Sequence, residues 1–348
     1  MSEKSLIVGM PAGSLADPKR GGSLTQLLKQ AGFPTKGYDQ GGPTTFPINP
    51  FFVGWDGRPQ EFGSQLALGD LDIAIAGDDW IRERRMEMRF EFDQEIELTR
   101  VLSLDRGKVR VVIINSDEAQ RPCDEWLGEL LAAKKLVTMV SEMPYLALEW
   151  FRKRIDALGF AESHQGYSVQ KFQTPSRVES GIVIYETWGK TEAKVKNGAV
   201  DFGLEITQSG SAIRNYGLHI TDVVMHSETS VWANASLKED PEKRELARML
   251  LLNLYGAVFA EHKILLTFNS RKEDTDKILE YLTRNNLFAN EPTMSEGVNF
   301  VVFSIQLDTN STDLTLARVR YELAKLGATG IETVPLESSI PGYDVIDF

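Results

Sequence analysis

One segment of the sequence places an acidic residue at the end of a predicted strand, followed by a turn of small and hydroxyl residues. It is Ala199–Leu218, AVDFGLEITQSGSAIRNYGL. A carboxylate placed like that of Glu205 can bind a sugar diol or a metal ion. Backbone N–H groups and hydroxyls in the turn can bind an anion, and the start of a following helix adds partial positive charge. The segment therefore predicts a phosphate loop, although a plain turn before a helix fits it equally. The loop comprises Thr207, Gln208, Ser209, Gly210, Ser211 and Ala212.

Three further residues could contact a nucleotide or a sugar, and each also has a plainer explanation. Asp72, in a predicted buried strand, either bonds a nucleotide or caps the following turn. Arg58 is either a ligand contact or a solvated side chain. Glu192 stands early in a predicted helix, where the helix dipole favours a carboxylate even without a ligand. The four histidines show no metal-binding spacing, so we expect no zinc site.

The composition disfavours several classes of protein. A chain of 348 residues is long enough for two or three domains, and a net charge of −12 disfavours nucleic acid and anionic membranes as partners. The single cysteine, Cys123, cannot form a disulfide within the chain, and no run of about 18 apolar residues occurs. We therefore expect a cytoplasmic protein without a membrane span. The mixed charges of Arg82–Arg89 predict a solvated helix face.

Alternating strands and helices are predicted to position these residues. Short apolar runs indicate strands, and apolar residues at helical spacing indicate helices. This order is typical of mostly parallel α/β layers, which bind ligands at the carboxyl ends of their strands. The predicted strands are Leu6–Met10, Asp72–Ala76, Val109–Ile114, Leu136–Val140, Ile182–Tyr185 and Phe202–Ile206, the helices are Ser23–Gln30, Glu61–Leu68, Asp124–Ala133, Tyr145–Leu158 and Thr191–Asn197, and Thr35–Arg58 is a long surface loop with short strands.

The end of the chain has a different pattern. After an apolar helix at Pro241–Ala260, the predicted elements alternate as β-α-β-α-β. They can close as a ferredoxin-like domain if one more short strand forms near Pro292–Glu296. The elements are the strands Leu265–Asn269, Phe300–Leu307 and Gly330–Pro335 and the helices Asp274–Thr283 and Leu314–Leu326.

The phosphate loop and its flanks resemble the loop AD-x-I-x-D-I-V-x-T-G-x-T-L-x-x-N-G-L of ATP phosphoribosyltransferases, the first enzymes of histidine biosynthesis. Other segments resemble motifs of this family in the same order, over nearly the whole chain. They are MPAGSL (Met10–Leu15), RPQE (Arg58–Glu61), GDLDIAIAGDD (Gly69–Asp79), TWGKTE (Thr187–Glu192), PTMS (Pro292–Ser295) and LGATGIETVPLE (Leu326–Glu337). The last two resemble the C-terminal regulatory domain of the family's long form.

The resemblance implies an α/β fold with two periplasmic-binding-protein-like lobes and a C-terminal ferredoxin-like regulatory domain. The expected boundaries are 1–107 with 228–262 for lobe I, 108–227 for lobe II with the phosphate loop, and 263–348 for the regulatory domain. The same resemblance implies a homo-oligomer, a hexamer, that is feedback-inhibited by histidine.

The resemblance also implies an activity. A phosphoribosyl group would pass from phosphoribosyl pyrophosphate to N1 of ATP, and pyrophosphate would leave, with Mg²⁺ as the cofactor. Glu205 would face the ribose hydroxyls and the Mg²⁺, as the catalytic residue, and the loop from Thr207 to Ala212 would bind the 5′-phosphate. The implied nucleotide contacts are Gly13, Arg58, Asp72 and Glu192.

The chain departs from the family at several of these positions. Ala212 lacks the hydroxyl of the family's threonine, and Ala12 and Ser14 stand where Lys and Arg are usual. The departures leave an alternative open, a catalytically impaired paralogue of the same fold that binds a nucleotide or an amino acid and acts as a regulator. The cations that could replace the missing ones are Lys19, Arg20, Arg106, Lys108 and Arg110.

Overall fold

A computed structural model describes residues 4–12, 23–40, 43–288, 291 and 293–347. The chain divides into two units, of which the first comprises 1–15 and 51–240 and the second 16–50 and 241–348. The first unit therefore contains the predicted phosphate loop, and the second contains the predicted ferredoxin-like domain. The boundaries expected for lobe I, lobe II and the regulatory domain stay predictions.

The first unit is built on one nine-stranded sheet with the order β2-β1-β3-β9-β4-β8-β5-β7-β6. The strands β2, β1 and β3 are parallel to one another, as are β8, β5, β7 and β6, and β9 and β4 join the two groups through antiparallel pairs. The mixed α/β class is confirmed. The strands are β1 (Leu6–Pro11), β2 (Phe51–Gly57), β3 (Ile73–Gly77), β4 (Leu98–Asn115), β5 (Leu136–Ser141), β6 (Tyr167–Lys171), β7 (Gly181–Glu186), β8 (Phe202–Thr207) and β9 (His219–Asn234).

Helices follow most of these strands, as the alternation in the sequence predicts. In the first unit, one large apolar cluster joins α4, α5 and the inner faces of β5, β7 and β8. The helices are α1 (Leu24–Gln30, in the second unit), α2 (Phe62–Leu68), α3 (Asp78–Phe92), α4 (Cys123–Ala133), α5 (Pro144–Ala157), α6 (Thr191–Lys196) and α7 (Ser211–Asn215).

The two longest strands differ from the prediction. Only Val109–Ile114 of β4 is predicted from the sequence, and β9 is not predicted at all. Their pairing shifts register between Ser103 and Val109, and Asp105 and Gly107 there have positive φ angles of 54° and 61°. Bulges and half-exposed polar residues interrupt the alternation that marks a strand, and so these segments carry no clear pattern.

The prediction of a solvated face for Arg82–Arg89 is wrong at Glu83. This residue of α3 is buried, and its two carboxylate oxygens accept hydrogen bonds from the N–H groups of Tyr145 (2.9 Å) and Leu146 (2.7 Å). These are free N–H groups of the first turn of α5, which need an acceptor. A buried carboxylate of one helix thus caps the start of another.

The second unit contains a four-stranded antiparallel sheet with the order β11-β12-β10-β13. This order and the alternation of strands and helices are those of the predicted ferredoxin-like domain, including the extra strand β11. One sheet face and two helices enclose a core that includes Leu266, Phe268 and Phe303. The elements are α8 (Pro241–Ala260), β10 (Lys263–Arg271), α9 (Thr275–Arg284), β11 (Thr293–Glu296), β12 (Phe300–Asp308), α10 (Leu316–Lys325) and β13 (Thr329–Pro335).

Candidate active site

The carboxyl ends of β5, β7 and β8 meet at one edge of the large sheet. Ser141 of β5 pairs with Glu186 of β7 and with Leu204 of β8, so the loops that follow these strands begin side by side. In parallel α/β layers this edge is where ligands bind. The loops bring together residues that are more than 60 positions apart in the sequence.

Glu205 lies near the end of β8 at this edge. Its Oε1 accepts a hydrogen bond of 3.0 Å from the N–H of Ile206. The pKa of Glu205 is raised to about 7, mainly because the side chain is buried; the N–H of Ile206 opposes this rise, and the carboxylates of Glu192 and Glu142 contribute to it. Ionised Glu205 is therefore poorly solvated and repelled by its neighbours, so a positive charge placed beside it would be stabilised.

The carboxylates of Glu192 and Glu142 lie near enough to Glu205 to raise its pKa. Glu192 is in the first turn of α6, and Glu142 follows β5 directly. The buried hydroxyl of Thr191 makes no hydrogen bond of regular geometry with any described residue, yet it is close enough to Glu205 to lower the pKa of that carboxyl group. We call Glu142, Glu192 and Glu205 the acidic group.

The phosphate loop follows β8 immediately. The N–H of Gly210 donates to Thr207 Oγ1 at 2.8 Å, and Ser211 N–H donates to Ser209 Oγ at 3.3 Å. The two serine hydroxyls also bond each other at 3.0 Å. Gly210 has a φ of 73°, a left-handed conformation that favours glycine. Hydroxyl and amide groups thus gather in one tight turn beside Glu205, with Gln208 and Ala212 exposed at its surface.

The predicted nucleotide contacts lie in different places. Arg58 follows β2 at the carboxyl edge of its strand group, where Ala12 N–H donates to Gly57 O at 2.7 Å. Asp72 precedes β3 at the opposite edge, and its buried carboxylate accepts a hydrogen bond of 2.8 Å from Ile7 N–H. Gly13 lies outside the described residues. The structure thus places Glu192 near Glu205, but it places Asp72 and Arg58 at opposite edges of their strand group. The roles of these residues stay predictions.

Glu142 and Thr191 were missed by the reasoning from sequence. Glu142 stands one residue after a predicted strand, so the strand-end rule that identified Glu205 could have found it. Thr191 carries no such signal, because a threonine at the start of a helix is common for reasons of capping alone.

Comparisons with known proteins identify the family of the chain. The family model for ATP phosphoribosyltransferase (HisG) matches residues 58–255. The ATP phosphoribosyltransferase of Geotalea daltonii is 30% identical over 344 residues, which cover 95% of this chain and 98% of the relative. ATP phosphoribosyltransferase 1 of Geobacter sulfurreducens is 28% identical over 343 residues, with the same coverage of 95% and 98%.

Solved structures show a weaker likeness. The ATP phosphoribosyl transferase (HisG:HisZ) complex from Thermotoga maritima has 16% sequence identity and a TM-score of 0.49, covering 72% of this chain and 98% of that chain. The family assignment rests instead on the sequence matches. Because the family model matches more than half of the chain and these relatives match it almost from end to end, the chain belongs to the ATP phosphoribosyltransferase family.

Proposed function

We propose that the chain transfers a phosphoribosyl group from phosphoribosyl pyrophosphate to N1 of ATP, the first step of histidine biosynthesis. The observation that carries the proposal is the position of Glu205, with the acidic group, directly beside the phosphate loop at the carboxyl edge of the sheet. Membership of the family supports it.

The reaction replaces one bond at the anomeric carbon of the ribose. The bond from this carbon to the pyrophosphate oxygen breaks, the oxygen keeps the electron pair, and the lone pair of N1 forms the new bond. Positive charge develops on the ribose during this exchange, and preorganised negative charge stabilises it. The acidic group provides that charge, and the phosphate loop positions the ribose through its 5′-phosphate.

Magnesium is proposed as the cofactor. Among the described residues, no three acidic, histidine or cysteine side chains are arranged to hold a metal ion. Mg²⁺ is commonly bound by one or two carboxylates together with substrate phosphates. Glu205 and Glu192, whose negative charges repel each other, could provide these carboxylates. When bound there, Mg²⁺ would neutralise charge on the pyrophosphate group.

We also propose that the chain is of the long form, with a regulatory C-terminal domain in the second unit. The ferredoxin-like fold of 263–335 and the resemblance of Leu326–Glu337 to the family's regulatory domain support this. Inhibition by histidine and a homohexamer follow from the same proposal, and a cytoplasmic location is proposed separately from the single cysteine of the sequence. No helix of the described residues is long and apolar enough to cross a membrane.

A product assay tests the proposed function. The purified chain is incubated with ATP, phosphoribosyl pyrophosphate and Mg²⁺, and phosphoribosyl-ATP is followed by absorbance while pyrophosphate is measured separately. We expect both products in equal amounts. Binding of both substrates without release of pyrophosphate would reject the transferase and favour the impaired regulatory paralogue.

A further inference from the structure

Two arginines from different elements meet beside the phosphate loop. A Cβ built on Gly210 would lie 3.1 Å from Nη1 of Arg214 and 3.9 Å from Nη2 of Arg110. Arg214 belongs to α7, and Arg110 belongs to β4, where it pairs with Thr207 of β8. Paired residues of neighbouring strands lie on the same face of a sheet, so Arg110 is on the face of the phosphate loop.

Within the part of the chain that the structure describes, neither arginine has an acidic partner. Among the described residues, no carboxylate lies within ion-pair distance of Arg110 or Arg214, and Arg110 makes no side-chain hydrogen bond. Nη1 of Arg214 donates to the carbonyl oxygen of Ser209 at 3.0 Å, which leaves its charge unneutralised. Two guanidinium groups that converge without a counterion favour binding of an anion between them.

The other cations considered as replacements differ from this pair. Lys108 forms an ion pair with Asp105, and Arg106 donates to Leu104 O at 2.8 Å. Lys19 and Arg20 lie outside the described residues. Of the five candidates, Arg110 is the one that the structure places at the phosphate loop.

We infer that Arg110 and Arg214 together bind the phosphate monoester of the sugar phosphate held by the phosphate loop. The inference rests on the proposed function in one respect, because it identifies that monoester as the 5′-phosphate of phosphoribosyl pyrophosphate. Arginine suits this role because its planar group can give two parallel hydrogen bonds to phosphate oxygens. The pair adds charged donors to a loop in which Ala212 lacks a hydroxyl.

The test is the affinity of full-length variants for ribose 5-phosphate, measured by calorimetry. Arg110→Gln and Arg214→Gln should each raise the Kd about 10- to 100-fold, the usual effect of losing a hydrogen bond to a charged group. Arg110→Lys, which keeps the charge, should show a smaller loss. Arg177→Gln is the matched control, since Arg177 is an exposed arginine in the loop between β6 and β7, and its Kd should not change.

Pyrophosphate and ATP are measured as separate ligands. An unchanged Kd for ribose 5-phosphate in both glutamine variants would overturn the inference. The inference would also be overturned if the glutamine variants bound pyrophosphate more weakly but ribose 5-phosphate as well as the wild type does. The two arginines would then bind the pyrophosphate end of the substrate. A parallel loss of ATP affinity and melting temperature would indicate a structural role and would also overturn it. Failure of the proposed function alone would give a different result. The wild-type protein would then still bind ribose 5-phosphate but would not form phosphoribosyl-ATP.

Discussion

Glu205 combines partial burial with two neighbouring carboxylates, so its negative charge is concentrated where the ribose is proposed to bind. Glu205→Gln keeps the size of the side chain and removes the charge. We expect kcat to fall by about 100-fold, as for other groups that stabilise charge in a transition state, with little change in the Kd of ribose 5-phosphate. The measurement is the rate of phosphoribosyl-ATP formation, with the exposed Glu125→Gln as the control. Full activity of Glu205→Gln would indicate that the loop match is fortuitous.

Glu83 provides a pH-dependent contribution to stability. Its pKa is raised from 4.5 to about 8, mainly because the side chain is buried. The charge of Glu87 also raises this pKa, whereas the N–H groups of Tyr145 and Leu146 and the charge of Arg84 lower it. The folded state therefore holds this proton more tightly than the unfolded state. The resulting stabilisation is complete below pH 4.5 and is lost as the pH rises to about 8.

Glu83→Gln tests this contribution, because glutamine does not titrate. The free energy of unfolding of the wild type, minus that of the variant, should fall by up to about 1.4 kcal/mol per pH unit between these two pKa values. Urea unfolding at a series of pH values gives the difference directly. A difference that stays constant with pH would show that folding does not raise the pKa of Glu83. Glu125→Gln again serves as the control for loss of a carboxylate.

Among the elements, the turn between β8 and α7 depends on one glycine. Gly210 has a φ of 73°, and a Cβ there would approach Arg214 Nη1 at 3.1 Å and Ile220 Cδ1 at 3.2 Å. Gly210→Ala should therefore destabilise the protein by about 1–2 kcal/mol and displace the groups that bind phosphate.

Gly198 is a matched control for this change. It has a φ of 69°, and a Cβ there would meet no atom of the described residues within 4 Å. Gly198→Ala should show a similar loss of melting temperature without weaker binding of ribose 5-phosphate. Equal affinity of the two alanine variants for ribose 5-phosphate would mean that the turn does not hold the phosphate.

For the complete chain, regulation and assembly are the properties to measure. We expect histidine to inhibit formation of phosphoribosyl-ATP, because the second unit has the ferredoxin-like fold implied for the regulatory domain. Sedimentation equilibrium should give a mass six times that of the 39.0 kDa chain. Activity that does not respond to histidine, with the enzyme otherwise fully active, would contradict the regulatory assignment but leave the transferase intact.

Local features of this protein can be predicted from the order of its residues. The strand, turn and short helix around Glu205 follow from apolar runs, small residues and a left-handed glycine within about 15 positions. The ferredoxin-like domain is predictable for the same reason, since β12 alternates and α9 and α10 have clear apolar faces. Each of these signals depends on residues that are close together in the chain.

Other features depend on pairs of residues that are far apart. The capping of α5 by Glu83, the approach of Glu142 to Glu205, and the meeting of Arg110 with Arg214 are set by the order and register of the strands. The sequence shows Glu83 as one charge in a mixed run, because its burial comes from packing that no local pattern records. Folding therefore decides which of these charges lie close together, because strand order and register set distances that the sequence does not show.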